Sequence, residues 1–570
     1  MKTVIAALNS KFIHMSLAPW YLKSACRNLC EIKVLELTIN QDKSEIMRRI
    51  YEEVPDVLAF SCYIFNIIHI ESIVNDIKQI LPDVRIILGG PEVSFNAVEV
   101  LERSEYADYV ICGEGEIRFK RLIEAISNKK EPHAIDGIAY RRKDGCGDKI
   151  AYTPPVGVIE CLDELPSPYT DEMLDAAKGK IAYFEASRGC PFHCAYCLSP
   201  QTGGVRRFSE QRVKNDLLRL MRSDARQIKF VDRTFNCSPA RAKEIATFII
   251  ENAKNDDTGK ISGKNYHFEA AADLFDNALI VLLSSAPAGL FQLEIGIQSF
   301  NEQALKAATR KTDLALCERN IKKLLSAGNM HIHLDLIAGL PFEDFSSFAN
   351  SFNRIFALHP HCIQLGFLKL LHGSTLRREA GTYSYKYSKQ PPYEVLGTPW
   401  LTYREILKLK DIETVVDALY NSRKFLQSLS YIITKFQSAF NFFYEFSQYL
   451  KIFYPDGYGI PSRELYNIIF RFAGTKLDEK SAAVFGELLK FDFFSTDSSC
   501  NPPKQLIRHE IPGVRALYDA DRLSRARVHY ERFAVDPLSL QDDMPKTPVD
   551  LRFDYDTKNH VSGLFEVKRL

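Results

Sequence analysis

The residues of this 570-residue chain that point most clearly to chemistry are three cysteines in one short run. Cys190, Cys194 and Cys197 have the spacing C-x3-C-x2-C, and an aromatic residue precedes the last of them. Three thiolates can each bind one iron of a cubane 4Fe–4S cluster, and no fourth cysteine lies near enough in sequence to bind the remaining iron. An iron with an open position can bind a reactant, so the spacing predicts a reactive cluster.

Two other interpretations of these cysteines stay open from the spacing alone. A structural zinc ion needs four thiolate or imidazole ligands, and His193 lies inside the run, although it would complete such a site only with strained local geometry. The three residues could instead be unrelated buried cysteines, because a free cysteine often behaves as a small core residue. The spacing and its surroundings favour the cluster, with the three cysteines as metal ligands and catalytic residues.

The run C-x3-C-x-aromatic-C after an apolar segment resembles the signature of the radical S-adenosylmethionine (radical SAM) superfamily. The resemblance implies that the amino and carboxylate groups of S-adenosylmethionine chelate the open iron, with Tyr196 at the cofactor site. It implies further that one electron cleaves the sulfonium to give a 5′-deoxyadenosyl radical, which takes a hydrogen atom from an unreactive C–H bond. We expect a reductant partner such as flavodoxin or ferredoxin.

The bulk composition limits the class of protein. Lys and Arg number 73 against 72 Asp and Glu, and this net charge of +1 excludes a strong general attraction to nucleic acid or membrane. Hydrophobic residues at 46% and charged residues at 25% are typical of a soluble globular protein, and the length predicts two to four domains. Thirteen cysteines without a regular framework favour a reducing compartment.

No segment of the sequence resembles a membrane anchor or a signal peptide. The apolar run from Thr3 to Leu8 is too short for a signal-peptide core, and no stretch of 18 apolar residues occurs. We therefore predict a cytoplasmic protein with no membrane partner, in an anaerobic setting because an open iron is sensitive to oxygen. The arginine-rich residues 508–533 favour a solvated face, and nucleic-acid or phosphate contact stays an open alternative.

The first 128 residues alternate short apolar runs with amphipathic segments. Runs of four to eight residues that are poor in charge are typical of strands buried on both faces of a sheet. The predicted strands cover residues 3–8, 32–37, 57–64, 85–88 and 109–112. Five such strands with helical crossovers predict an open parallel α/β sheet of Rossmann or flavodoxin type.

Small residues occur at the carboxyl ends of these strands, where ligands of such sheets bind. They are Ser61, Gly89, Gly90, Gly113 and Gly115. Glycine lets a large flat ligand approach the backbone, although ordinary turns also use it. Ahead of a radical SAM motif, this pattern resembles the cobalamin-binding domain of B12-dependent radical SAM proteins and implies cobalamin. The D-x-H-x-x-G motif is missing, so we do not expect a histidine from that motif to ligate cobalt.

Three further regions follow the predicted cobalamin domain. Residues 129–180 form a linker with a predicted hairpin around Asp144-Gly145, followed by several prolines. Residues 181–371 contain six strand–helix repeats and predict a partial (β/α)6 TIM-like barrel. Residues 372–570 are predicted to be mainly helical and resemble an uncharacterised C-terminal domain of cobalamin-type radical SAM proteins, a resemblance that implies no activity.

Three candidate cofactor residues follow barrel strands, at the end where barrel sites form. Asp232 stands where radical SAM proteins contact the amino group of S-adenosylmethionine, with a loop or helix-capping carboxylate as the alternative. Arg310 could pair with the methionine carboxylate, or be a surface charge. Gly339 begins Gly-Leu-Pro-Phe-Glu, which resembles the family's Gly-Leu-Pro-Gly-Glu turn and would seat adenine; a plain turn is the alternative.

The fourth predicted barrel strand carries polar residues on one face. Alternation places Glu294, Gly296 and Gln298 on one side, and this is costly unless they meet a ligand or each other. Together with Ser299 they resemble the family's Glu-x-Gly-x-Gln-Ser segment, whose polar groups face the ribose side of the nucleoside.

These features predict a B12-dependent radical SAM enzyme. The class implies a methyltransferase that methylates an unactivated carbon, with the methyl group supplied by cobalamin. A radical SAM enzyme of another reaction type, such as rearrangement or ring contraction, is the alternative among enzymes. A non-catalytic sensor that uses the cluster, cobalamin or both is the alternative outside them. The sequence names no substrate.

Overall fold

The computed structural model of the protein describes residues 1–144, 147–455, 459–524, 526–539 and 548–570. Of the predicted hairpin turn at Asp144-Gly145, the glycine lies outside the described residues. The chain divides into two units: the first combines Met1–Glu294, Gln303–Asn320 and Phe367–Pro399, and the second combines Ile295–Glu302, Ile321–Gly366 and Trp400–Leu570. Among the described helices, none combines the length and the apolar character needed to span a bilayer.

The N-terminal sheet has seven strands in the order β2-β1-β3-β4-β5-β6-β7. They are β1 (Lys2–Asn9), β2 (Glu31–Thr38), β3 (Val57–Ser61), β4 (Arg85–Gly89), β5 (Tyr109–Ile111), β6 (Ile138–Asp144) and β7 (Gly147–Thr153). The first five pair in parallel in the flavodoxin-type order that the sequence predicted as one of two options. The predicted hairpin forms β6 and β7, which extend the same sheet in antiparallel fashion.

Helices cover both faces of this sheet and enclose an apolar core on each. They are α1 (Ala18–Ala25), α2 (Lys43–Tyr51), α3 (Ile67–Ile80), α4 (Ala97–Arg103) and α5 (Glu116–Ser127). Every residue of β3 is buried, as expected for a strand in which all residues but the last, Ser61, are apolar. The strand ends at Ser61, three residues earlier than expected, because the Asn66 side chain folds the following segment into a turn and donates to the carbonyls of Leu8 and Ser61 at 3.0 Å.

The linker leads through α6 (Asp171–Ala176) into the barrel strands. These are β8 (Ile181–Phe184), β9 (Ser187–Arg188), β10 (Arg206–Arg207), β11 (Gln227–Phe230), β12 (Asn265–Ala270), β13 (Phe291–Gln298), β14 (His331–Ala338) and β15 (Cys362–Phe367). In the first unit, β11 pairs in parallel with β8 and β12, and the start of β13 comes next in the sheet. Of the remaining barrel strands, β14 lies in the second unit, and β15 does so up to Gly366.

Helices follow the barrel strands, as the predicted repeats require. They are α7 (Glu210–Arg222), α8 (Pro239–Lys254), α9 (Asn277–Ser284), α10 (Glu302–Ala307), α11 (Leu314–Ser326), α12 (Phe345–Phe356) and α13 (Thr375–Arg378). Several begin at a side-chain cap, because an oxygen of Ser209, Asp276 or Asp344 accepts a backbone N–H of the first turn. A short antiparallel pair, β16 (Lys386–Tyr387) and β17 (Val395–Gly397), closes the first unit.

The C-terminal region combines helices with a small sheet. The helices are α14 (Tyr403–Val415), α15 (Leu426–Ile433), α16 (Ala439–Leu450), α17 (Ser462–Lys476), α18 (Glu479–Thr496) and α19 (Val514–Ser524). The sheet is antiparallel and contains β18 (Val528–Phe533), β19 (Val549–Lys558) and β20 (Phe565–Arg569). The mainly helical prediction holds for residues 403–496 and misses this sheet, whose strands carry charged residues between the apolar ones.

Candidate functional site

The cysteine run forms a loop directly after β8 and β9. Gly189, the residue before the first cysteine, has φ +93°, and a Cβ at this position would collide with the Gly204 carbonyl oxygen. Only glycine combines this conformation with such a close backbone approach. Ala195 in the middle of the loop donates its N–H to the Ala308 carbonyl at 2.8 Å and accepts from Leu376 N at 2.9 Å. Distant backbone therefore holds the loop in place.

The three thiols have different polar neighbours within this loop. The Cys190 Sγ lies 3.5 Å from Thr234 Oγ1, and the Cys194 Sγ accepts from Arg310 Nη1 at 3.5 Å. Burial raises the pKa of the Cys190 thiol, and the nearby Cys197 and Cys194 sulfurs raise it further. The three thiols are therefore close enough to influence each other's ionisation. A bound cation would favour their thiolate forms.

The geometry separates the two metal interpretations of this loop. Among the described residues, no three His, Cys, Asp or Glu side chains converge on one point that could hold a single metal ion. Structural zinc needs that convergence, so His193 does not complete a zinc site with the cysteines. A cubane cluster is different because each thiolate binds a different iron, and its sulfurs need not meet at one point. Three thiols on one loop, which distant backbone holds in place, fit such a cluster.

Arg310 and Tyr196 lie beside the cysteines. Arg310 Nη1 donates to the Tyr196 hydroxyl at 3.3 Å as well as to Cys194 Sγ, and the guanidinium stands 6.0 Å from the centre of the Phe192 ring. Burial opposes the charge of Arg310, but Tyr196 and Cys194 outweigh burial and raise its pKa. The structure therefore places a permanent cation at the edge of the thiols. Pairing of Arg310 with a carboxylate of S-adenosylmethionine remains a prediction.

Asp232 faces the segment that precedes the cysteines. It is 3% exposed, its Oδ2 accepts from Ala186 N at 2.9 Å, and its Oδ1 accepts from the Ser187 hydroxyl. Burial raises the pKa of this carboxyl to about 7, against the opposing effect of those hydrogen bonds. Both oxygens are engaged by protein donors, which favours the loop-carboxylate alternative. Its contact with S-adenosylmethionine remains a prediction.

A polar cluster in the first unit surrounds Glu294. The carboxylate lies 3.0 Å from Lys229 Nζ and 3.0 Å from His267 Nε2. Burial would raise the pKa of Glu294, but the adjacent His267 imidazole and the charge of Lys229 lower it to about 2. The carboxylate is therefore ionised, and its two neighbours fix its direction. Lys229, His267 and the nearby Glu269 are site candidates that the sequence analysis missed, although polar residues at every second position of β11 and β12 were a visible signal.

The second half of β13 and the following turn belong to the second unit. The predicted alternation is confirmed, since Ile295 and Ile297 are buried and Gly296 and Gln298 are partly exposed. The Gln298 residue has φ +72°, and its Oε1 is buried without a hydrogen-bond partner in the described chain. A Cβ at Gly296 would collide with the Gln298 amide, so glycine leaves room for that side chain. A buried hydrogen-bond acceptor without a protein partner is suited to accept a hydrogen bond from a bound ligand.

Ser299 and the turn after β14 support each other. The Ser299 hydroxyl donates to Glu343 Oε1, and the Ser351 hydroxyl donates to the same atom at 3.3 Å. Burial raises the pKa of Glu343 to about 7. The predicted turn begins at Gly339, whose φ of +96° favours glycine, and continues to Phe342 with φ +64°. Ser299 therefore orients the turn, and contacts of either residue with a nucleoside remain predictions.

The ends of β3 and β4 approach each other closely. Cys62 N donates to the Gly89 carbonyl at 2.6 Å. At Gly90, φ is +114°, and a Cβ would lie 2.6 Å from the Cys62 carbonyl oxygen. Ser61 is buried at the end of β3, next to this contact. Glycine at position 90 therefore allows the ends of β3 and β4 to approach each other this closely.

The segment after β5 connects this edge to the cysteine loop within the first unit. Gly113 has φ +72° and donates to Ser94 Oγ at 3.1 Å, and Gly115 precedes α5. Glu114 lies between the two glycines, and Glu116 begins the helix. The glycines therefore present two carboxylates in a fixed direction.

These carboxylates bind two arginines in what we call the acid–arginine clamp, which consists of Glu114, Glu116, Arg188 and Arg206. Arg206 Nη2 lies 2.8 Å from Glu114, and Arg188 Nη2 lies 2.5 Å from Glu116. The arginines are direct partners in the antiparallel pair β9–β10. Burial would raise the pKa of Glu114, but Arg206 and neighbouring donors lower it. The sequence analysis missed the clamp, although Arg188 stands two residues before Cys190.

Comparisons with known proteins agree with this architecture. Residues 3–123 match the B12 binding domain, residues 184–355 match the Radical SAM superfamily, and residues 381–536 match a protein family of unknown function, DUF4080. These domains imply a 4Fe–4S cluster and S-adenosylmethionine at the cysteine loop and cobalamin at the N-terminal sheet.

Individual relatives cover part of the chain. The cobalamin-dependent radical SAM methyltransferase TokK of Streptomyces tokunonensis is 27% identical over 320 residues, 54% of this chain and 46% of that protein. The uncharacterized methyltransferase PH0819 of Pyrococcus horikoshii is 30% identical over 237 residues, 40% of this chain and 51% of that protein. The chain thus spans about half the length of these relatives.

One solved structure extends the likeness to most of the chain. The cobalamin-dependent S-adenosylmethionine radical enzyme OxsB, solved with aqua-cobalamin and S-adenosylmethionine, has a TM-score of 0.61 at 14% identity and covers 92% of this chain and 83% of its own. At this identity the likeness shows the fold alone. The three matched models show that this chain carries a B12 binding domain, a Radical SAM superfamily domain and a DUF4080 domain, in that order along the sequence.

Proposed function

We propose that this protein is a cobalamin-dependent radical SAM methyltransferase that methylates an unactivated carbon. The observation that carries the proposal is the acid–arginine clamp, which joins the carboxyl end of β5 to the strand pair beside the cysteines. When bound, the cluster with S-adenosylmethionine supplies a 5′-deoxyadenosyl radical, and cobalamin supplies the methyl group. A clamp between the two binding edges would keep both cofactors at one reaction site.

The chain's own residues would hold and orient these groups. Cys190, Cys194 and Cys197 provide three thiolates, and Arg310 provides a buried positive charge beside them. Glu294 presents an ionised carboxylate whose direction is set by Lys229 and His267. A fixed carboxylate suits the hydroxyl groups of a ribose, because hydrogen bonds to charged acceptors are strong and directional.

The cobalamin edge would act through backbone rather than through side-chain ligands. At Gly90 and Gly113 φ is positive, and a Cβ at Gly90 would collide with the Cys62 backbone, so these glycines allow the tight turns that would present backbone groups to the corrin. The missing D-x-H-x-x-G motif agrees with a corrin held by shape and backbone contacts instead of a histidine from that motif.

Three proposals about the cellular context accompany this function. The reductant would be a small electron carrier such as flavodoxin or ferredoxin, and the substrate is a small molecule or macromolecule of unknown identity. The near-zero net charge supports neither a nucleic-acid partner nor a membrane partner. A cytoplasmic location is supported by the twelve free cysteines of the described chain.

The test uses full-length protein produced with ample corrinoid, purified anaerobically and reconstituted with iron and sulfide. We expect it to retain corrinoid and, with a reductant, to release 5′-deoxyadenosine from S-adenosylmethionine. Methyl-labelled S-adenosylmethionine should label the corrinoid. Loss of the first property would refute the cobalamin assignment, and loss of the second would refute the radical assignment. Release of 5′-deoxyadenosine without methyl labelling would indicate rearrangement or ring contraction instead.

A further inference from the structure

The turn after β14 departs at one residue from the Gly-Leu-Pro-Gly-Glu pattern that it resembles, and the backbone of that residue is unusual. Phe342 stands where the pattern has its second glycine. Its φ is +64°, a left-handed conformation that glycine adopts freely and bulky residues adopt rarely. Holding phenylalanine in this conformation costs free energy, which indicates that the aromatic ring has a use that glycine cannot serve.

Side chains of the neighbouring segments hold this strained conformation in place. Asn301, which follows β13, donates from its side-chain amide to the Phe342 carbonyl at 2.9 Å and to Ser347 Oγ at 3.0 Å. The next residue of the turn, Glu343, accepts a hydrogen bond from the Ser299 hydroxyl. A strained residue that its surroundings fix in this way is typical of a functional position.

The Phe342 ring contacts Trp400, which lies within the residues matched by the DUF4080 model. The two ring centres are 4.5 Å apart, and the ring planes are inclined by 47°. Both side chains are partly exposed. Each ring therefore keeps surface against which a further planar ring can pack.

The helix that follows Trp400 fixes its position. Thr402 caps α14 in a reciprocal capping box: its hydroxyl accepts from Glu405 N, and the Glu405 carboxylate accepts from Thr402 N at 2.8 Å. Leu401, between the tryptophan and the cap, is buried. Trp400 therefore stands at a well-anchored helix start.

Packing of the DUF4080 helices against the last barrel helix connects this helix start to the turn. Helix α14 packs on α16, and α16 packs on α12, the helix that directly follows the turn. Phe440 N on α16 donates to Asn353 Oδ1 at 2.9 Å, and the Phe440 ring lies 5.3 Å from Phe345 and 5.7 Å from Phe352. One packed group of helices thus carries both rings of the aromatic pair.

A second observation at the same strand ends points to a ligand. Gln298 ends β13, and its Oε1 is buried without a hydrogen-bond partner in the described chain. The next residue, Ser299, hydrogen-bonds Glu343 of the turn that carries Phe342. A buried acceptor is costly unless a donor reaches it. A planar molecule that also carries N–H or O–H donors would suit both the aromatic pair and this acceptor.

Core packing does not account for the aromatic pair. Phe352 and Phe443, which do form part of the core in this unit, are fully buried. Phe342 and Trp400 instead keep exposed surface, and Phe342 has a strained backbone as well. A residue with a relaxed backbone would serve packing alone equally well.

We propose that Trp400, supported by Phe342, binds the adenine ring of S-adenosylmethionine, so that the DUF4080 domain contributes directly to the nucleoside site. The inference rests on the proposed function, because it takes S-adenosylmethionine as a ligand of this protein. Adenine is planar with apolar faces, which suits the two rings. The 6-amino group and the ribose hydroxyls of the nucleoside are donors, which suit Gln298.

The experiment measures binding without turnover, on full-length, anaerobically purified holoprotein with an oxidised cluster. Equilibrium dialysis compares S-adenosylhomocysteine, which contains the adenine, with L-methionine, which lacks it. Trp400→Ala should weaken S-adenosylhomocysteine about tenfold, because stacking of a base on an aromatic side chain contributes about that much affinity. L-methionine should change by less than about twofold. Unchanged affinity for S-adenosylhomocysteine, or equal losses for both probes, would overturn the proposal.

Three further variants separate recognition of adenine from folding. Trp400→Phe keeps an aromatic ring and should recover most of the lost affinity. Tyr403→Ala, at an exposed aromatic residue in the first turn of α14, is the matched control and should bind as wild type does. Phe342→Gly relieves the left-handed backbone, so its unfolding temperature should not fall, whereas its affinity for S-adenosylhomocysteine should fall several-fold. Unchanged affinity in Phe342→Gly would refute the supporting role of this residue.

The wild-type protein distinguishes this proposal from the proposed function. If wild type itself binds no S-adenosylhomocysteine, the radical assignment fails. If wild type and Trp400→Ala bind it equally, the role of Trp400 is refuted and the radical assignment stands.

Discussion

The N-terminal sheet and the barrel build their predicted cofactor sites in opposite ways. All residues of β3 are buried, and Ser61 at its end carries the one polar side chain of this strand. In β13 and β14, buried residues alternate with partly exposed ones, and several of the latter are polar or charged. The first site is therefore made by backbone at the strand ends, and the second by side chains on the strands.

This difference predicts different sensitivities to mutation. At the N-terminal edge, Gly90 lets the backbone approach Cys62 closely, so an added methyl group should distort this strand end. In the barrel, the Glu294 carboxylate is held by Lys229 and His267. Removal of its charge should therefore impair the site even when the volume of the side chain is unchanged. Four substitutions separate the two regions.

The largest effect is expected from Cys194→Ala, which removes one of three metal ligands. Release of 5′-deoxyadenosine from S-adenosylmethionine should fall to background, and bound iron should decrease, because two thiolates do not hold a cubane cluster. Corrinoid retention should persist, since the N-terminal edge is untouched. Cys161→Ala, at an exposed cysteine, is the matched control and should keep full activity.

Gly90→Ala should impair corrinoid retention, which Cys194→Ala leaves intact. The new Cβ would lie 2.6 Å from the Cys62 carbonyl oxygen at φ +114°, and such strain costs about 1–3 kcal/mol. Because about 1.4 kcal/mol corresponds to tenfold in affinity, corrinoid retention should fall about tenfold or more, whereas 5′-deoxyadenosine release persists. Gly179→Ala is the control, with φ +71° but no atom within 4 Å of the new Cβ. Equal losses of corrinoid in Gly90→Ala and Gly179→Ala would show that backbone strain alone causes the effect.

Glu294→Gln keeps the volume of the side chain and removes its charge. The Lys229 charge then loses its partner, and we expect about a tenfold loss in 5′-deoxyadenosine release. The folded-state pKa of about 2 lies below the unfolded value, so the carboxylate stabilises the fold above about pH 4.3. That contribution is lost as pH falls toward about 2. Thermal unfolding of both proteins across this window should converge at the acid end.

Glu343→Gln should give the smallest change. It should raise the stability of the fold at neutral pH, whereas Glu294→Gln should lower it. Burial raises the pKa of this carboxyl to about 7, so the folded state favours its protonated form. Wild-type stability should fall as pH rises from about 4.3 through about 7, and the neutral amide should escape this loss. The variant should therefore unfold at a slightly higher temperature than wild type above about pH 7. A lower unfolding temperature of the variant above about pH 7 would contradict this and show that the charged carboxylate stabilises the folded protein.

The sequence predicted most of the fold. The apolar runs located the five parallel strands of the seven-stranded first sheet and six strands of the barrel, because burial of a strand is visible in consecutive or alternating residues. The spacing of Cys190, Cys194 and Cys197 predicted a shared ligand, and the structure places all three on one loop. The sheet of β18 to β20 was missed because its strands mix apolar and charged residues without a clean period.

Local spacing by itself thus determined the cysteine loop, the glycine-rich strand ends and the polar face of β13, since each lies within a few residues of chain. Only the tertiary structure decided which partners the charged groups meet. Arg206 meets Glu114 across 92 residues, and Asp232 meets Ser187 across 45. Such pairings depend on how elements pack, and no periodicity along the chain records them.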